Sequence, residues 1–282
     1  MSTWLVERPQ RLTFDEVKQL RVRVIAGRVD VVGTDDETAV DVTEIRRRPL
    51  RIQYGDGALT VAYEPTKTPT FVHGFIDQHV KRAMSVLTIT VPRDCEVEIE
   101  SLSADVRVSD LDGKVTVHTL NAPATLVRLP GDVAVDSVSG SVRMREVAGD
   151  LWVRNISGEV TLVESVSEVV EVETVSGAIT CDLASPVVTG VSLATYTGHV
   201  TVRVPDNSDL SVDLRTTNGV ITTPFTGLRH ELSPLFRRVR GALGDDGGRL
   251  QVRTVTGRVA LLSRPPERSA DADPLGEFEE TS

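Results

Sequence analysis

The chain has 282 residues, of which 40% are hydrophobic, with 31 basic and 41 acidic side chains. That apolar content is enough for a buried core, so a wholly disordered chain is excluded. A formal net charge of −10 offers phosphates no overall positive field, and we therefore expect no nucleic-acid partner.

The composition favours strands over helices. The sequence contains 45 valines, while aromatic residues make up only 4% of it. β-Branched side chains lose little freedom in a strand and suit a pleated, half-buried surface. These features predict an all-β protein.

Targeting signals and cysteines bound the location. The opening residues MSTWLVERP contain no apolar run suited to a signal peptide, and no run of eighteen apolar residues follows. We expect a cytoplasmic protein. Cys95 and Cys181 are the only cysteines, so a disulfide framework is excluded.

Residues 1–92 are predicted to form a β-rich amino-terminal region. Its clearest strand unit carries Ile25, Gly27, Val29 and Val31. Within this region, residues 66–84 place apolar side chains at helical spacing, which predicts a short amphipathic helical insert. The apolar positions of that insert are Phe71, Phe75, Ile76, Val80 and Met84.

Residues 93–262 repeat a glycine about every nine positions. Each strong copy has the form apolar-x-Gly-x-apolar-x-apolar. Examples begin at Val138, Ile156 and Val175, and later copies carry Gly198, Gly219 and Gly257. Because apolar residues two apart lie on one face of a strand, we expect all apolar positions of a unit to point inward.

A strand this short cannot bury an apolar face by itself, so neighbouring units must stack. The repeat therefore predicts a single-stranded β-solenoid, or β-helix, with about 18 to 21 residues per coil. A β-sandwich with regular strand spacing is the alternative. Glycine in each unit leaves room where the chain bends or where another backbone approaches.

Two further segments depart from the repeat. Residues 225–247 contain Ser233 and Pro234 as a helix start, followed by Leu235, Phe236 and Val239, and predict a second amphipathic helical insert. Residues 263–282 are rich in proline and acidic side chains, which predicts a disordered acidic tail.

Serial copies of Val-Ser-Gly-x-Val-x-Val resemble the bacterial β-strand-repeat family labelled "putative adhesin". The resemblance covers residues 14–262, from the Gly27 unit through Val91 and Pro92 to the last repeat. It implies a right-handed single-stranded β-helix and no known catalytic activity. Relatives in this family are often tied to the cell envelope or its stress systems.

The motifs supply no catalytic, cofactor-binding or metal-binding residues. The five histidines are scattered, and no nucleophile elbow, phosphate loop or dinucleotide fingerprint occurs. Only Asp132 and Asp150 stand at equivalent outward positions of successive coils. Acids beside turns are usually solvated charges, so we expect no enzymatic role for this pair.

The candidate interaction residues are aromatic or basic. Trp152 lies between inward Leu151 and Val153, so we expect it to point outward as a contact anchor. Both predicted inserts are basic and aromatic, against the charge of the whole chain. Their candidate contact residues are Phe71, Phe75, Phe236, Arg237, Arg238 and Arg240.

The sequence favours a non-enzymatic intracellular scaffold or protein-interaction module linked to cell-envelope functions. We expect an unidentified protein partner and a monomer or small oligomer. One alternative is an adhesin-like, carbohydrate-binding or carbohydrate-active β-helix. Another is a membrane-peripheral regulator whose basic inserts contact an anionic membrane.

Overall fold

The computed structural model describes residues 1–63, 83–185, 189–245 and 247–264. These ranges contain 24 β-strands and no helix, so the predicted all-β class is confirmed. Since the described residues include no helix, none of them lies in a helix able to cross a membrane.

The first strands are β1 (Ser2–Val6), β2 (Gln10–Phe14), β3 (Gln19–Thr34), β4 (Thr38–Arg46), β5 (Leu50–Gly55), β6 (Ala58–Tyr63), β7 (Met84–Pro92) and β8 (Glu96–Ser109). The central strands are β9 (Val115–Asn121), β10 (Ala124–Leu129), β11 (Val133–Ser139), β12 (Val142–Val147), β13 (Leu151–Ser157), β14 (Val160–Ser165), β15 (Val169–Ser176), β16 (Ile179–Leu183), β17 (Gly190–Thr197) and β18 (Val200–Pro205). The last strands are β19 (Leu210–Asn218), β20 (Ile221–Thr222), β21 (Arg229–Ser233), β22 (Phe236–Leu243), β23 (Gly248–Thr256) and β24 (Val259–Arg264).

The central strands stack as coils of a solenoid with two walls. Wall A contains β9, β11, β13, β15 and β17, and wall B contains β10, β12, β14, β16 and β18, with parallel pairing in each wall. The long strands β3 and β8 each bend and contribute to both walls. The predicted solenoid is therefore confirmed.

Coil length follows from the strand register. Val133 pairs with Leu151, Leu151 with Val170, and Val170 with Val191. Successive coils therefore contain 18, 19 and 21 residues, as the repeat predicts. The longer coils keep wall A in register because their extra residues lie in the turns that lead from wall B back to wall A.

The core lies between the two walls, where the alternation of each strand sends every second side chain inward. Leu151 and Val153 from wall A, and Val160 and Leu162 from wall B, are at most 1% exposed. Burying side chains of this size contributes about 1.5 to 3 kcal/mol each. The central strands thus gain their stability from stacked aliphatic layers rather than from aromatic packing.

The carboxyl-terminal coils do not follow chain order. Strand β23 lies between β17 and β19, and β24 lies between β18 and β20. The coil made of β19 and β20 therefore sits outside the coil that follows it in sequence. Antiparallel strands β22 and β21 continue wall A beyond β19.

Antiparallel strands also end the stack at the amino-terminal side. Strand β6 pairs with β5, and β5 with β1, in continuation of wall A. In wall B, β7 pairs with β4, and β4 with β2. The amino-terminal end of the stack therefore finishes in antiparallel strands in both walls, and the carboxyl-terminal end does so in wall A.

Most coils turn from wall A to wall B through a narrow corner that contains a glycine, whereas the corner between β9 and β10 contains Ala122 and Pro123. At Gly158, φ is 130°, and a Cβ atom would overlap the carbonyl group of Gly140 in the preceding coil. The same backbone approach occurs at Gly140, Gly177, Gly198 and Gly257. The predicted reason for the glycine repeat, close approach of another backbone, is confirmed.

A polar side chain just before the narrow corner points inward, and in several coils it hydrogen-bonds the backbone of the corners. Asn155 donates from Nδ2 to the carbonyl oxygen of Gly158 over 3.1 Å, and Thr119 donates to that of Ala122 over 3.1 Å. Thr254 donates to Gly198 over 3.3 Å. These bonds satisfy carbonyl groups that the strand pairing leaves free.

The wide corner returns the chain from wall B to wall A and uses charged residues in the left-handed region. Asp110, Arg128, Glu146 and Glu164 have φ between 54° and 63°, at intervals of 18 residues. Arg128 donates two hydrogen bonds to Asp110, at 2.6 and 2.8 Å. This pair lowers the pKa of Asp110, chiefly through the hydrogen bond from Arg128.

Two sequence expectations are wrong. The described residues of 225–247 form no helix: β21 and β22 make a hairpin, in which β22 pairs with the edge of β19. The apolar residue two before the narrow-corner glycine, such as Val138 or Ile156, points outward rather than inward. The corner bend interrupts the period-two alternation there.

Two other predicted segments lie mainly outside the described residues. Of the helical insert expected at 66–84, only residues 83 and 84 are described, and Met84 begins β7. Of the acidic tail expected at 263–282, only Ser263 and Arg264 are described, and both belong to β24.

Candidate interaction surface

A row of exposed apolar side chains follows the narrow corner along wall A. Six aliphatic or aromatic residues, one per coil, are between 36% and 63% exposed. We call this row the apolar ladder; its members are Leu120, Val138, Ile156, Val175, Tyr196 and Val255. An aligned exposed apolar row of this kind marks a contact surface more often than scattered residues do.

The strand register brings these residues side by side. Asn155 pairs with Thr174 and Ser157 with Ser176, so Ile156 lies next to Val175. The same argument connects every other pair of neighbours in the ladder. With strands about 4.8 Å apart, six residues span about 24 Å.

Small polar residues border the ladder on the corner side. Each ladder residue is followed directly by an exposed serine, threonine or asparagine. These residues are Asn121, Ser139, Ser157, Ser176, Thr197 and Thr256. In most coils the residue after that is the corner glycine. The two positions next to the ladder on this flank therefore carry a short side chain or none.

Charged residues border the ladder on the other side, in the middle of wall A. Asp136 forms an ion pair with Arg154, with 2.8 Å between Oδ1 and Nε, and its Oδ2 lies 3.3 Å from Nδ1 of His118. Glu173 is the register neighbour of Arg154. In this part of the ladder the charges alternate in sign, and the single Arg154 lies between the two acids Asp136 and Glu173.

The carboxyl-terminal end of the ladder is different, because arginines accumulate there. Arg253 pairs in register with Arg215, and Arg215 with Arg238. Arg238 binds Asp213 through hydrogen bonds of 2.7 and 2.8 Å. The pKa of Asp213 is lowered, first by the hydrogen bond from Arg238 and also by the nearby charges of Arg253 and Arg215.

Trp152 lies on the outer surface of wall A. Its side chain is 39% exposed, and its register neighbours are Ala134 and Glu171. It belongs to the same strand as ladder residue Ile156, four residues away, and both point outward. The two residues therefore present apolar surface to the same side of the molecule.

The hairpin carries four residues predicted to make contacts, and each has an internal partner. Phe236 stacks with Arg215, whose Cζ lies 4.5 Å from the ring centre. Arg237 donates to the carbonyl oxygen of Gly219 over 2.7 Å. Arg238 binds Asp213, and Arg240 pairs with Glu231. These contacts fasten the hairpin to the end of the stack.

The other two predicted contact residues, Phe71 and Phe75, lie outside the described residues.

The described residues provide little support for a catalytic or metal-binding site. Asp132 accepts a hydrogen bond from the backbone N–H of Asp150 over 3.1 Å, which links successive coils. Burial raises the pKa of the Cys95 and Cys181 thiols to about 12, so both thiols stay protonated. The described residues bring together no group of three or more histidine, cysteine or acidic side chains able to hold a metal ion.

The sequence interpretation identified Trp152 but missed the ladder. Ladder residues such as Val138, Ile156 and Val175 are predicted to point inward, because each lies two positions before the glycine and four before the next core residue. A signal was present: the residue just before each ladder position is polar in every coil, as at Ser137, Asn155 and Thr174. That polar residue occupies the inward position, so its apolar neighbour must face solvent.

Comparison with known proteins places the chain in a family. Solved structures with similar folds include a "putative adhesin" from Parabacteroides distasonis, with 11% identity over 91% of this chain and 96% of that one, and a TM-score of 0.47. Another is a "putative adhesin" from Bacteroides fragilis, with 12% identity over 93% and 97% of the two chains, and a TM-score of 0.45. No curated protein matches the sequence. The family described as Toastrack DUF4097 matches residues 17–261, and the chain belongs to that family.

Proposed function

We propose that this protein is a non-enzymatic interaction scaffold that binds a protein partner along the apolar ladder. The observation that carries the proposal is the alignment of six exposed apolar side chains in consecutive coils of one wall. Burying such a row on association removes apolar area from water, at about 25 cal/mol per Å².

The rigidity of wall A supports this function. Each ladder residue of the central coils lies in a strand that pairs in register with neighbours on both sides. A surface held in this way loses little conformational freedom when a partner binds. Trp152 on the same surface adds an aromatic anchor of the type that often dominates binding energy.

The family and the chemistry both support a non-enzymatic role. Toastrack DUF4097 is not a known enzyme family. A carbohydrate-active site would need an acid cluster facing Trp152, whereas its register neighbours are Ala134 and one acid, Glu171. Contact with a membrane through the hairpin is less well supported, since Arg238 and Arg240 already pair with acidic side chains.

The ends of the stack favour a monomer or small oligomer over a filament. The last strand of wall A beyond β19 is the five-residue β21, and wall B ends in the two-residue β20. Short terminal strands give another molecule little edge to pair with. We therefore place the partner contact on the side of the stack rather than at its ends.

A test compares three forms of the full chain: the wild type, the double variant Ile156→Ser with Val175→Ser, and the control Val163→Ser. Val163 is half-buried on the outer surface of wall B. Its replacement is therefore the same kind of change, an aliphatic residue to serine, at a position away from the ladder. Proteins captured by each form from cell extract are purified and titrated by calorimetry. We expect a partner that binds the wild type and the control but loses at least tenfold in affinity with the double variant. Equal affinity for all three forms, or capture of no partner by the wild type, would contradict the proposal.

A further inference from the structure

We infer that the partner contributes an amphipathic α-helix that lies along the apolar ladder with acidic residues at the end nearest Val255. This inference rests on the proposed function and deepens it, because it names the kind of segment bound and its orientation. Three features carry it: the spacing of the ladder, the shape of its flanks and the change of charge along it.

The spacing of the ladder matches a helix better than a strand. Ladder residues repeat about every 4.8 Å, the distance between neighbouring strands. Along a helix, one face presents an apolar side chain about every 5.4 Å, whereas one face of an extended chain does so about every 6.7 Å. About 16 helical residues would cover the 24 Å of the ladder.

The flanks leave room for a helix on one side of the ladder. Toward the narrow corner, each ladder residue is followed by a small polar residue and, in the coils of Ile156 and Tyr196, by Gly158 and Gly198. Toward the middle of wall A, longer side chains such as Arg154 and Glu173 stand beside it. The ladder is therefore bounded by longer side chains on one side and is open on the other, which leaves room for the rounded surface of a helix.

Charge along the two flanks changes sign from the middle of the ladder to its end. Around Ile156 and Val175 the exposed acids Glu159 and Glu173 lie beside the ladder, and the nearby Arg154 is already paired with Asp136. Around Val255 three arginines flank the ladder: Arg253 and Arg215 on the wall side and Arg258 on the corner side. Arg215 also stacks on Phe236, and the nearby Asp213 is already bonded to Arg238.

This charge pattern defines how the helix is oriented. Acidic side chains at the end of the helix near Val255 face Arg253 and Arg215, while basic side chains near its middle face Glu159 and Glu173. The negative end of the helix dipole adds to the attraction if the carboxyl terminus lies over the arginines. The described residues of a second copy offer no helix, and sedimentation velocity tests a second copy as the source of the segment.

The experiment uses stapled 16-residue peptides with leucines at helical a and d positions. The first peptide carries three glutamates in its last turn, the second carries three lysines there, and a third has the same composition in a scrambled order. Fluorescence anisotropy measures their binding to the full chain, to Arg215→Gln with Arg253→Gln, and to Ile156→Ser with Val175→Ser. Sedimentation velocity of each protein alone measures self-association.

We expect the glutamate peptide to bind about 5- to 10-fold more tightly than the lysine peptide, as two exposed ion pairs would provide. The arginine double variant should abolish that difference, and the ladder variant should weaken both helical peptides. The scrambled peptide should bind none of the three protein forms.

Several outcomes would overturn the inference. Equal binding of the two helical peptides, unchanged in the arginine variant but lost in the ladder variant, rejects the acidic helix while the proposed function stands. Failure of both peptides to bind up to about 100 μM rejects a helical partner, and capture of a folded partner then decides the proposed function separately. Self-association of the wild type that the ladder variant abolishes assigns the ladder to a second copy instead.

Discussion

The narrow and wide corners of each coil reverse the chain in different ways. The narrow corner uses glycine at φ of 130° to 155°, as at Gly158 and Gly257, and sits directly against the corner of the preceding coil. The wide corner uses residues such as Arg128 and Glu146 at φ near 55°. Left-handed φ values near 55° admit a side chain at modest cost, whereas values beyond about 100° are essentially restricted to glycine.

The difference shows which constraint acts at each corner. At the narrow corner, the backbone of the preceding coil fills the space that a side chain would need, so steric contact requires glycine at positions such as Gly158. At the left-handed positions of the wide corner, the side chain can form ion pairs such as that of Arg128 with Asp110. The wide corner also contains glycines packed against the preceding coil, at Gly131 and Gly149, but its left-handed positions accept several residue types.

The largest expected effect is at the narrow corner. The substitution Gly158→Ala places a Cβ atom onto the carbonyl group of Gly140 and forces an alanine into an unfavourable φ. Overpacking and backbone strain together should cost about 3 kcal/mol or more. Urea denaturation followed by circular dichroism measures the loss.

The control for that experiment is Gly190→Ala. Gly190 begins β17, and a Cβ atom there would meet no atom of the described residues within 4 Å. We expect a change below about 1 kcal/mol, because alanine also reduces the freedom of the unfolded chain. Equal losses for the two variants would show that close backbone approach is not the reason for glycine at the narrow corner.

An intermediate effect is expected for Asp110→Asn at the wide corner. Because the pKa of Asp110 is lowered in the folded state, its ion pair stabilises the protein fully above about pH 5. That contribution is lost as the pH falls through about 4 and the lower folded pKa. The wild type should exceed the variant by at most about 1 kcal/mol at pH 7. Thermal melts at pH 7, 5 and 3 should show the difference shrinking with acid, and a constant difference would rule out the ion pair as its source.

The smallest effect is expected for Glu146→Gly, also at the wide corner. Glycine relieves the left-handed strain of Glu146, but it removes the ion pair with Arg145 at 3.1 Å and increases the freedom of the unfolded chain. These contributions nearly cancel, so the free energy of unfolding should change by less than about 0.5 kcal/mol. If the free energy of unfolding falls by more than about 2 kcal/mol, the Glu146 side chain stabilises the wide corner by more than its ion pair with Arg145 explains.

Local constraints explain how much of the structure could be predicted from sequence. Alternating apolar residues and the glycine repeat both arise within one coil and its nearest neighbour, so they predicted the solenoid and the outward Trp152. Period-two counting failed across the narrow corner, where Ile156 and Ser157 both face solvent. The ladder was missed for that reason.

Non-local pairing explains the other errors. Leu235, Phe236 and Val239 fit a helical pattern, but the edge of β19 offers hydrogen bonds that only a strand can complete. Nothing in residues 248–264 distinguishes them from other repeats. Their place between two earlier coils depends on strand pairing over long sequence distances.

The displaced last coil also determines the order of events during protein synthesis. Coils from β9 to β18 can assemble as the chain emerges, because each contacts the coil made just before it. Strands β19 and β20 take their place in the stack only when β23 and β24 have left the ribosome and filled the gap beside β17 and β18. A chain that stops before residue 248 therefore leaves the edges of β17 and β18 open, and quality control by proteases or chaperones can distinguish it from the finished protein.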